Sequence, residues 1–313
     1  MTTIKPRVLK NNDVVGIIAP ASPTSNPEKI TKGLEYLERL GYRVKLGKNI
    51  NNVYGYLAGK DKERIDDIHA MFNDKTVKAI FALRGGYGTP RLLHLLDYAL
   101  IKRNPKILVG YSDITALQLA IYAKTGLVSF SGPMPGVEMW NGIDSFTEEN
   151  FWRMITSKKS FGNVRNPDEK DFICLQNGKA KGKLLGGNLS LITSLLGTPF
   201  IPSFKNSILI FEEVDEECYH FDRMLSQLRL AGVLKEVKGI IVGEMTDVKP
   251  SDESKPFLTV DVSLNEYLSS LNKPVITNVA YGHVPRKLTI PIGIQTTLNA
   301  TNRTISFDEP AVS

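Results

Sequence analysis

Short apolar runs rich in β-branched residues alternate with amphipathic stretches along the first half of the chain. Apolar runs of strand length that alternate with stretches of helical spacing are typical of βαβ units, and they predict a parallel sheet. The predicted strands are Val14–Ala19, Val44–Leu46, Val77–Leu83, Ile107–Gly110 and Leu127–Phe130. The predicted helices are Pro27–Leu40, Asp61–Phe72, Pro90–Ile101 and Ile114–Lys124, the last of them capped by Gly126.

The pattern changes after a polar, turn-rich passage at residues 158–181. We interpret this passage as a linker between a domain of residues 1–157 and a domain of residues 182–313. The second domain is predicted to be mixed α/β with more antiparallel strands, because its tail alternates apolar and polar positions around a turn signal at Asn299–Asn302. Its predicted strands are Gly182–Leu185, Ile208–Glu213, Val237–Val242 and Val275–Val279, with alternating segments at Leu288–Ile292 and Thr296–Phe307; its predicted helices are Asn188–Leu196, Tyr219–Leu230 and Val260–Leu271.

The composition is that of a globular protein, with 42% hydrophobic and 23% charged residues in 313. No apolar run approaches the length of a membrane helix, and the N-terminus lacks an apolar signal core. We therefore expect a cytoplasmic protein with no membrane partner. The two cysteines, Cys174 and Cys218, are too few for a disulfide framework and match no metal-binding spacing, so we expect two reduced thiols and no metal.

The net charge of +6 comes from lysines and arginines that are scattered along the chain. The sequence has no basic run and no interleaving of basic with aromatic residues, which argues against a nucleic-acid partner. A modest positive excess suits a small acidic substrate instead.

Ser112 lies in a turn between a predicted strand that ends at Gly110 and a predicted helix that begins at Ile114. A serine in this position presents its Oγ at the carboxyl edge of the sheet, where ligands bind in open α/β folds. The N–H of Asp113, at the partly positive start of the helix, is a natural donor to an oxyanion. The segment predicts a nucleophile elbow, although its local sequence differs from G-x-S-x-G. The alternative is that Ser112 or Asp113 merely caps the helix.

Arg84–Gly88 follows the third predicted strand and contains three glycines. We call it the glycine loop. Its spacing does not match a dinucleotide-binding motif. Because neighbouring parallel strands place their following loops side by side, a glycine N–H beside Ser112 is a candidate second oxyanion donor. We predict Gly86 for this role, with Gly85 as the alternative, and a plain tight turn remains a competing interpretation.

Four histidines are available as a general base. His69 and His94 lie within predicted helices and His220 opens another, which favours packing or surface roles. His283 lies in a loop of glycine and proline directly after a predicted strand, where scaffolds commonly display catalytic side chains. His283 is therefore the predicted base.

A third residue should orient the imidazole and stabilise its protonated form. Glu212 and Glu213 end an apolar strand, and a buried carboxylate there requires a partner. Strand alternation directs the two side chains to opposite faces, so that one can reach the site while the other meets solvent or Arg223. The alternative is that the strand simply ends in solvent.

Several stretches of the sequence resemble the LD-carboxypeptidase family of serine peptidases, over nearly the whole chain. The combination of the glycine loop with Gly-Tyr-Ser-Asp-Ile-Thr is the most specific part of this resemblance. The matching stretches are Asp13–Ser22, Gly55–Gly59, Ala79–Gly88, Asn104–Leu117, Gly132–Met134, Leu185–Leu189, Phe211–Tyr219 and Gly282–His283.

The resemblance implies a Rossmann-like N-terminal domain that carries the nucleophile Ser112. It implies a C-terminal domain that carries the acid Glu212 and the base His283. The oxyanion donors would be the N–H groups of Asp113 and of one glycine in the glycine loop. Arg84 and Gly85 are candidates for binding the substrate carboxylate, although Arg84 is equally suited to a structural pair across the loop.

The family's activity implies cleavage of an L–D peptide bond, which releases terminal D-alanine from murein tetrapeptides during cell-wall recycling. No cofactor is implied, and a homodimer is common in this family. Three positions depart from the usual pattern: Ser131 stands where histidine is frequent, Glu213 where aspartate is usual and Cys218 where proline is common.

Two other functions compete with this interpretation. A peptidase similar to the microcin C immunity proteins would cleave a peptidyl-nucleotide analogue, but those proteins tend to be longer around the catalytic loops than the segment Glu212–Arg223. A non-catalytic Rossmann-like module that binds a small ligand is the alternative outside the enzymes.

Overall fold

The computed structural model describes residues 2–313, except for the side chain of Glu169. The chain divides into two compact units. Unit 1 contains the described residues up to Lys159 together with Leu288–Gly293 and Pro310–Ser313. Unit 2 contains Ser160–Lys287 and Ile294–Glu309.

The two units are built from β-strands and α-helices in mixed order. The strands are β1 (Val14–Ile18), β2 (Arg43–Leu46), β3 (Val77–Ala82), β4 (Ile107–Val109), β5 (Ser129–Ser131), β6 (Gly162–Asn163), β7 (Ile173–Gln176), β8 (Lys179–Asn188), β9 (Ile208–Val214), β10 (Gly239–Thr246), β11 (Val275–Thr277), β12 (Ile290–Ile292), β13 (Gln295–Asn299) and β14 (Thr304–Phe307). The helices are α1 (Pro27–Arg39), α2 (Asp61–Asn73), α3 (Tyr98–Arg103), α4 (Ile114–Thr125), α5 (Ser145–Thr156), α6 (Leu189–Leu195), α7 (Cys218–Leu230), α8 (Val233–Glu236) and α9 (Val260–Leu268).

Unit 1 is organised around a six-stranded sheet in the order β2-β1-β3-β4-β5-β12. The first five strands of this order run parallel, and β12 pairs antiparallel with β5. Strands β1 and β4 are buried along their whole length, which explains why their apolar runs show no polar alternation. The strand order reverses between β1 and β3, and in such sheets ligands bind beside the carboxyl ends of the strands at this point.

Unit 2 contains an eight-stranded sheet in the order β6-β14-β13-β8-β9-β10-β11-β7. The four central strands, β8 to β11, run parallel, and the flanking strands pair antiparallel. Strand β9 lies between β8 and β10, and all of its residues except Val214 are buried. The predicted fold class, a parallel-sheet domain followed by a mixed α/β domain with antiparallel strands, is confirmed.

The passage interpreted as a linker carries β6, β7 and the start of β8. Strand β7 pairs with β11, and β6 pairs with β14, so both strands lie in the sheet of unit 2. Their partners are far away along the chain, and the passage is polar overall. The sequence analysis therefore did not single out the two-residue strand β6 or the short apolar run Ile-Cys-Leu-Gln that forms β7. Conversely, β12 pairs with β5 and lies in unit 1, whereas the sequence assigned this segment to the second domain.

Two helical segments also differ from the sequence prediction. The segment predicted as a helix from Pro90 to Ile101 contains a 3₁₀ turn at Thr89–Leu92 and then a separate helix α3, because the Asp97 carboxylate accepts from Leu100 N at 2.8 Å and begins a new helix. Helix α5 was not predicted, although Asp144 caps it and Phe151 is fully buried. Within residues 2–313, no helix is both long and apolar enough to cross a membrane.

Candidate active site

The serine turn, Gly110–Asp113, connects β4 directly to α4 in unit 1. Ser112 has a φ of 63°, a left-handed conformation that costs a residue with a side chain about 1–2 kcal/mol. A Cβ at Gly110 would lie 2.9 Å from the Ile114 side chain and 3.1 Å from Ala82 Cβ, so only glycine allows the strand and helix to approach this closely. A strained serine in a strand–turn–helix segment has the backbone form of a nucleophile elbow.

The glycine loop lies against this turn. A Cβ at Gly85 would lie 2.9 Å from Ser112 Cβ and 3.2 Å from Ser112 Oγ, so the backbone of Gly85 borders the serine side chain. Gly86 has a φ of 117°, and a Cβ there would lie 2.4 Å from Ser22 Oγ. The Cα of Gly85 borders Ser112, and the N–H groups of Gly85 and Gly86 lie on either side of this Cα along the backbone. The choice of Gly86 as oxyanion donor stays a prediction.

Asp113 lies at the N-cap position of helix α4, but its side chain does not cap the helix. Its side chain makes no capping hydrogen bond and instead accepts from Gly88 N at 3.2 Å and from Thr89 N at 2.8 Å. The capping alternative is therefore wrong for the Asp113 side chain. The N–H of Asp113 remains at the helix start, where the helix dipole favours an anion.

Arg84 takes part in the packing of its own loop. Its Nη1 donates a hydrogen bond to Pro23 O at 2.9 Å, which ties the glycine loop to the segment after β1. This contact corresponds to the structural alternative for Arg84. A role of Arg84 or Gly85 in binding a substrate carboxylate stays a prediction.

Glu212 and His283 form a hydrogen-bonded pair within unit 2. The distance between Glu212 Oε2 and His283 Nδ1 is 2.8 Å, and the Glu212 side chain is 1% exposed. A buried carboxylate on Nδ1 keeps the proton there in the neutral imidazole and favours the charged imidazolium when the other nitrogen takes a proton. The pair has the chemistry of a general base with its orienting acid.

Glycine brings the histidine loop to this carboxylate. Gly282 has a φ of 121°, and a Cβ there would lie 2.7 Å from Glu212 Oε2. Any side chain at position 282 would therefore push His283 away from its partner.

The neighbouring Glu213 has a different environment. It accepts hydrogen bonds from Asn188 Nδ2 at 2.8 Å, Ser190 N at 2.7 Å and its neighbour Val214 N at 3.0 Å. Burial raises the pKa of the Glu213 carboxyl, the nearby charge of Glu212 adds to this rise, and the hydrogen bonds oppose it. The expectation that the second glutamate meets solvent or Arg223 is wrong, since Glu213 is only 2% exposed and faces the start of α6.

The other histidines have local roles. His69 Nε2 accepts from Asp97 N at 2.9 Å, and burial lowers the pKa of His69; His94 is exposed. His220 does pair with a carboxylate, Glu216, at 2.7 Å, but its side chain is 39% exposed against 21% for His283. The pair at His220 joins the first turn of α7 to Glu216, which precedes the N-cap residue of this helix, and it lies at the surface.

The sequence did not indicate that Asn188 supports the carboxylates of unit 2 or that Arg64 supports the glycine loop of unit 1. Asn188 caps helix α6 through Oδ1 and holds Glu213 through Nδ2. Arg64 is fully buried and donates to Gly88 O in the glycine loop at 3.1 Å. The only available signals were an asparagine after two glycines and an arginine at an interior position of an amphipathic helix.

Two of the residues that depart from the usual family pattern are buried within regular secondary structure. Ser131 is buried in β5 opposite Ile290, and Cys218 is the buried first residue of α7. Cys174 and Cys218 are both free. Among the side chains that the structure describes, no group of three or more His, Cys, Asp or Glu could hold a metal ion.

Comparison with known proteins identifies the same two parts of the chain. The family model of the LD-carboxypeptidase N-terminal domain matches residues 15–132, and that of the C-terminal domain matches residues 181–298. The chain is 40% identical over 304 residues to the probable murein peptide carboxypeptidase of Bacillus subtilis. The aligned residues cover 96% of this chain and 93% of the relative.

Other similar proteins include both a microcin self-immunity protein and a muramoyltetrapeptide carboxypeptidase. The microcin C7 self-immunity protein MccF of Escherichia coli is 29% identical over 96% of this chain and 94% of its own length. A solved structure of MccF in complex with glutamyl sulfamoyl guanosine matches with a TM-score of 0.91 at 27% identity and 99% coverage of both chains. The muramoyltetrapeptide carboxypeptidase of Oxalobacter formigenes matches with a TM-score of 0.82 at 31% identity, over 95% of this chain and 99% of the other.

Both halves of the chain match the family models, and the B. subtilis relative is similar over almost the full length. The chain therefore belongs to the LD-carboxypeptidase family of peptidases.

Proposed function

We propose that this protein is a serine LD-carboxypeptidase that releases terminal D-alanine from murein tetrapeptides in cell-wall recycling. The observation that carries the proposal is the buried Glu212–His283 hydrogen bond of 2.8 Å, in a chain that also holds Ser112 in a strained elbow. The names of the relatives from B. subtilis and O. formigenes support murein peptides as substrates.

In the proposed reaction, Ser112 Oγ attacks the carbonyl carbon of the L-centred residue, and His283 takes the hydroxyl proton. This step requires that His283 comes within hydrogen-bond reach of Ser112 in the substrate complex. The N–H groups of Asp113 and of Gly86 hold the oxyanion, and each such donor is typically worth about 3 kcal/mol.

Collapse of the tetrahedral intermediate breaks the peptide bond. His283 gives its proton to the leaving amine, so that D-alanine departs and the acyl group stays on Ser112. Water then attacks the acyl-enzyme, with His283 as base again, and releases the tripeptide. Glu212 stabilises the imidazolium in each half of the reaction.

The alternative is cleavage of a peptidyl-nucleotide analogue. The observation that favours it is the similarity to MccF, whose solved complex contains glutamyl sulfamoyl guanosine. The nucleophile, acid and base would be the same, and the leaving group would carry a nucleotide instead of D-alanine.

The test is incubation of the protein with L-Ala-γ-D-Glu-meso-diaminopimelate-D-Ala, its lysine counterpart and glutamyl sulfamoyl guanosine, with products followed by mass spectrometry. We expect D-alanine release from a tetrapeptide, and none with Ser112→Ala. Ser129→Ala is the matched control, because Ser129 Oγ is buried without a hydrogen-bond partner among the described residues, and it should retain activity. Cleavage of the nucleotide compound alone would replace the murein assignment with the alternative.

A further inference from the structure

The peptide between Gly88 and Thr89, at the end of the glycine loop, is held from both sides. The two N–H groups of these residues donate to the two carboxylate oxygens of Asp113, at 3.2 and 2.8 Å. On the other side, Gly88 O accepts from Arg64 Nη1 at 3.1 Å. Asp113 and Arg64 are each 1% exposed, so this stretch of backbone is fixed by two buried side chains of opposite charge.

Asp113 connects the loop to the nucleophile itself. It directly follows Ser112, and besides its carboxylate its main-chain oxygen accepts from Thr89 Oγ1 at 2.5 Å. Three hydrogen bonds therefore join the end of the glycine loop to the residue next to the serine. At the start of the same loop, Gly85 borders Ser112 Oγ, so both ends of the loop contact the serine turn.

Arg64 extends the connection to the segment after β1. Its Nη1 also donates to Pro20 O at 2.5 Å, and its Nη2 donates to Asp61 at 2.6 Å. In the same region Tyr87 N donates to Ser22 Oγ at 3.0 Å. Arg64 thus holds the loops that follow β1 and β3 at the point where the strand order reverses.

The glycine at position 88 is required for this arrangement. Gly88 has a φ of 127°, and a Cβ there would lie 2.4 Å from Leu57 Cδ2 and 2.8 Å from Arg64 Nη1. The absence of a side chain lets the guanidinium reach the carbonyl oxygen from the same side.

Burying these two charges is expensive for folding. Burial raises the pKa of the Asp113 carboxyl, and the hydrogen bonds from Thr89 and Gly88 together with the charge of Arg64 counteract this rise. Arg64 Nε is buried and has no hydrogen-bond partner among the described residues. Since buried charged groups are often no more stabilising than apolar ones, stability alone does not account for this pair of side chains.

We propose that the Asp113 carboxylate and Arg64 are positioning residues, which hold the glycine-loop N–H at the distance from Ser112 that oxyanion binding requires. The inference rests on the proposed serine-peptidase function. Oxyanion donors must lie about 2.7–3.1 Å from the developing negative charge, so a small shift of the loop weakens transition-state binding more than substrate binding.

The decisive variant is Asp113→Asn, which keeps the main-chain N–H and the side-chain size. An asparagine has one acceptor oxygen where two N–H groups need one each, and its own NH₂ group would face the remaining donor. We expect kcat for D-alanine release to fall about 100-fold, while KM stays within about threefold. Arg64→Lys keeps the charge, but a lysine cannot reproduce the forked contacts of the guanidinium. We therefore expect kcat to fall less than in Asp113→Asn, again with little change in KM.

The affinities of Asp113→Asn for two ligands distinguish a misplaced oxyanion donor from general damage to the binding site. A boronic acid analogue of the tripeptide forms a tetrahedral adduct with a nucleophilic serine, and its affinity should fall by the same factor as kcat in Asp113→Asn. The affinity for the tripeptide product should remain unchanged. Equal losses for both ligands would overturn the inference.

Asp67→Asn is the matched control. Asp67 lies on α2, as Arg64 does, is buried, and accepts from Asn49 N and Asn49 Nδ2 at 3.0 Å each. It therefore holds a different loop by the same kind of contact. We expect Asp67→Asn to lower the melting temperature but to leave kcat unchanged, and an equal fall of kcat in Asp67→Asn and Asp113→Asn would contradict a specific role of Asp113.

The rate of labelling of Ser112 by a fluorophosphonate makes the inference independent of the natural substrate. Wild-type protein that reacts with the probe but cleaves no tetrapeptide would refute the murein assignment alone, and the slower labelling expected of Asp113→Asn would still support the positioning role. Equal labelling rates in wild type and variant would overturn the inference. Wild-type protein that does not react would refute both.

Discussion

The serine turn of unit 1 and the Glu212–His283 pair of unit 2 are stabilised in different ways. The turn depends on main-chain geometry: Ser112 has a positive φ, and glycines allow the surrounding backbone to approach it. The pair depends on a side-chain hydrogen bond between residues 71 positions apart in the sequence. The proposed nucleophile is thus positioned by a strained local backbone, and the proposed base is positioned by a hydrogen bond to a buried carboxylate.

Charge is also placed differently in the two regions. In unit 1, the buried carboxylate of Asp113 faces the glycine loop. In unit 2, the buried carboxylate of Glu212 contacts the imidazole directly, and Glu213 holds the neighbouring helix start. The comparison indicates that buried carboxylates fix main-chain N–H groups in both regions, whereas only that of Glu212 orients an imidazole.

The largest expected effect is a loss of kcat/KM, and it should differ between the two histidine–carboxylate pairs. We expect His283→Ala to lower kcat/KM about 10⁴-fold or more, because the serine loses its base. His220→Ala, which removes an equally short surface contact to Glu216 at the residue before the N-cap of α7, should change kcat/KM less than about threefold. Steady-state kinetics on the preferred substrate measure both, and equal losses would show that the geometry of His283 has no special role.

A smaller effect tests the strain at the serine turn. Glycine adopts a positive φ without the steric cost of a Cβ, so Ser112→Gly should be more stable than Ser112→Ala by about 1 kcal/mol. For a protein of this size, that corresponds to a melting temperature about 2 °C higher. Differential scanning calorimetry of the two inactive variants gives the comparison, and a lower melting temperature for Ser112→Gly would argue that the turn is unstrained.

The smallest expected effect is the pH dependence that Glu213 adds to stability. The pKa of Glu213 in the folded protein lies above its ordinary value of 4.5, so the folded state binds this proton more tightly than the unfolded chain does. Its contribution is therefore fully present below about pH 4.5 and is lost as the pH rises through the raised pKa. Glu213→Gln has no proton to lose and should lack this decline.

Melting temperatures of wild type and Glu213→Gln, measured from pH 4 to pH 8, provide the test. The wild-type curve should fall relative to the variant curve as the pH increases, while kcat at neutral pH stays close to the wild-type value. A relative rise of the wild-type curve would mean that the hydrogen bonds from Asn188 and Ser190 outweigh the burial of this carboxylate.

Local sequence patterns were sufficient for the parts of the fold that depend on neighbouring residues. The buried strands β1, β3, β4 and β9 and the helix α4 with its Gly126 cap all lie within a few residues of their predicted bounds. The serine turn was recognisable for the same reason, since strand, turn and helix follow one another within a single short segment.

Contacts between distant segments were not predictable in this way. Strand β12 completes the sheet of unit 1 although it follows most of unit 2 in sequence. The short strands β6 and β7 pair with β14 and β11, which lie far along the chain. Helix α3 began later than expected because one side chain, Asp97, caps it.

By itself, the sequence determined the fold class and the parallel direction of the first five strands, and its family resemblance named Ser112, Glu212 and His283 as candidates for nucleophile, acid and base. Only the tertiary structure showed that Glu213 holds the start of α6, turned the Asp113 side chain from the helix to the glycine loop, and brought Arg64 to the same loop. The physical reason is that hydrophobic periodicity reports which face of an element is buried, whereas the partner of a buried charge is chosen by whichever distant backbone or side chain the packing brings within hydrogen-bond distance.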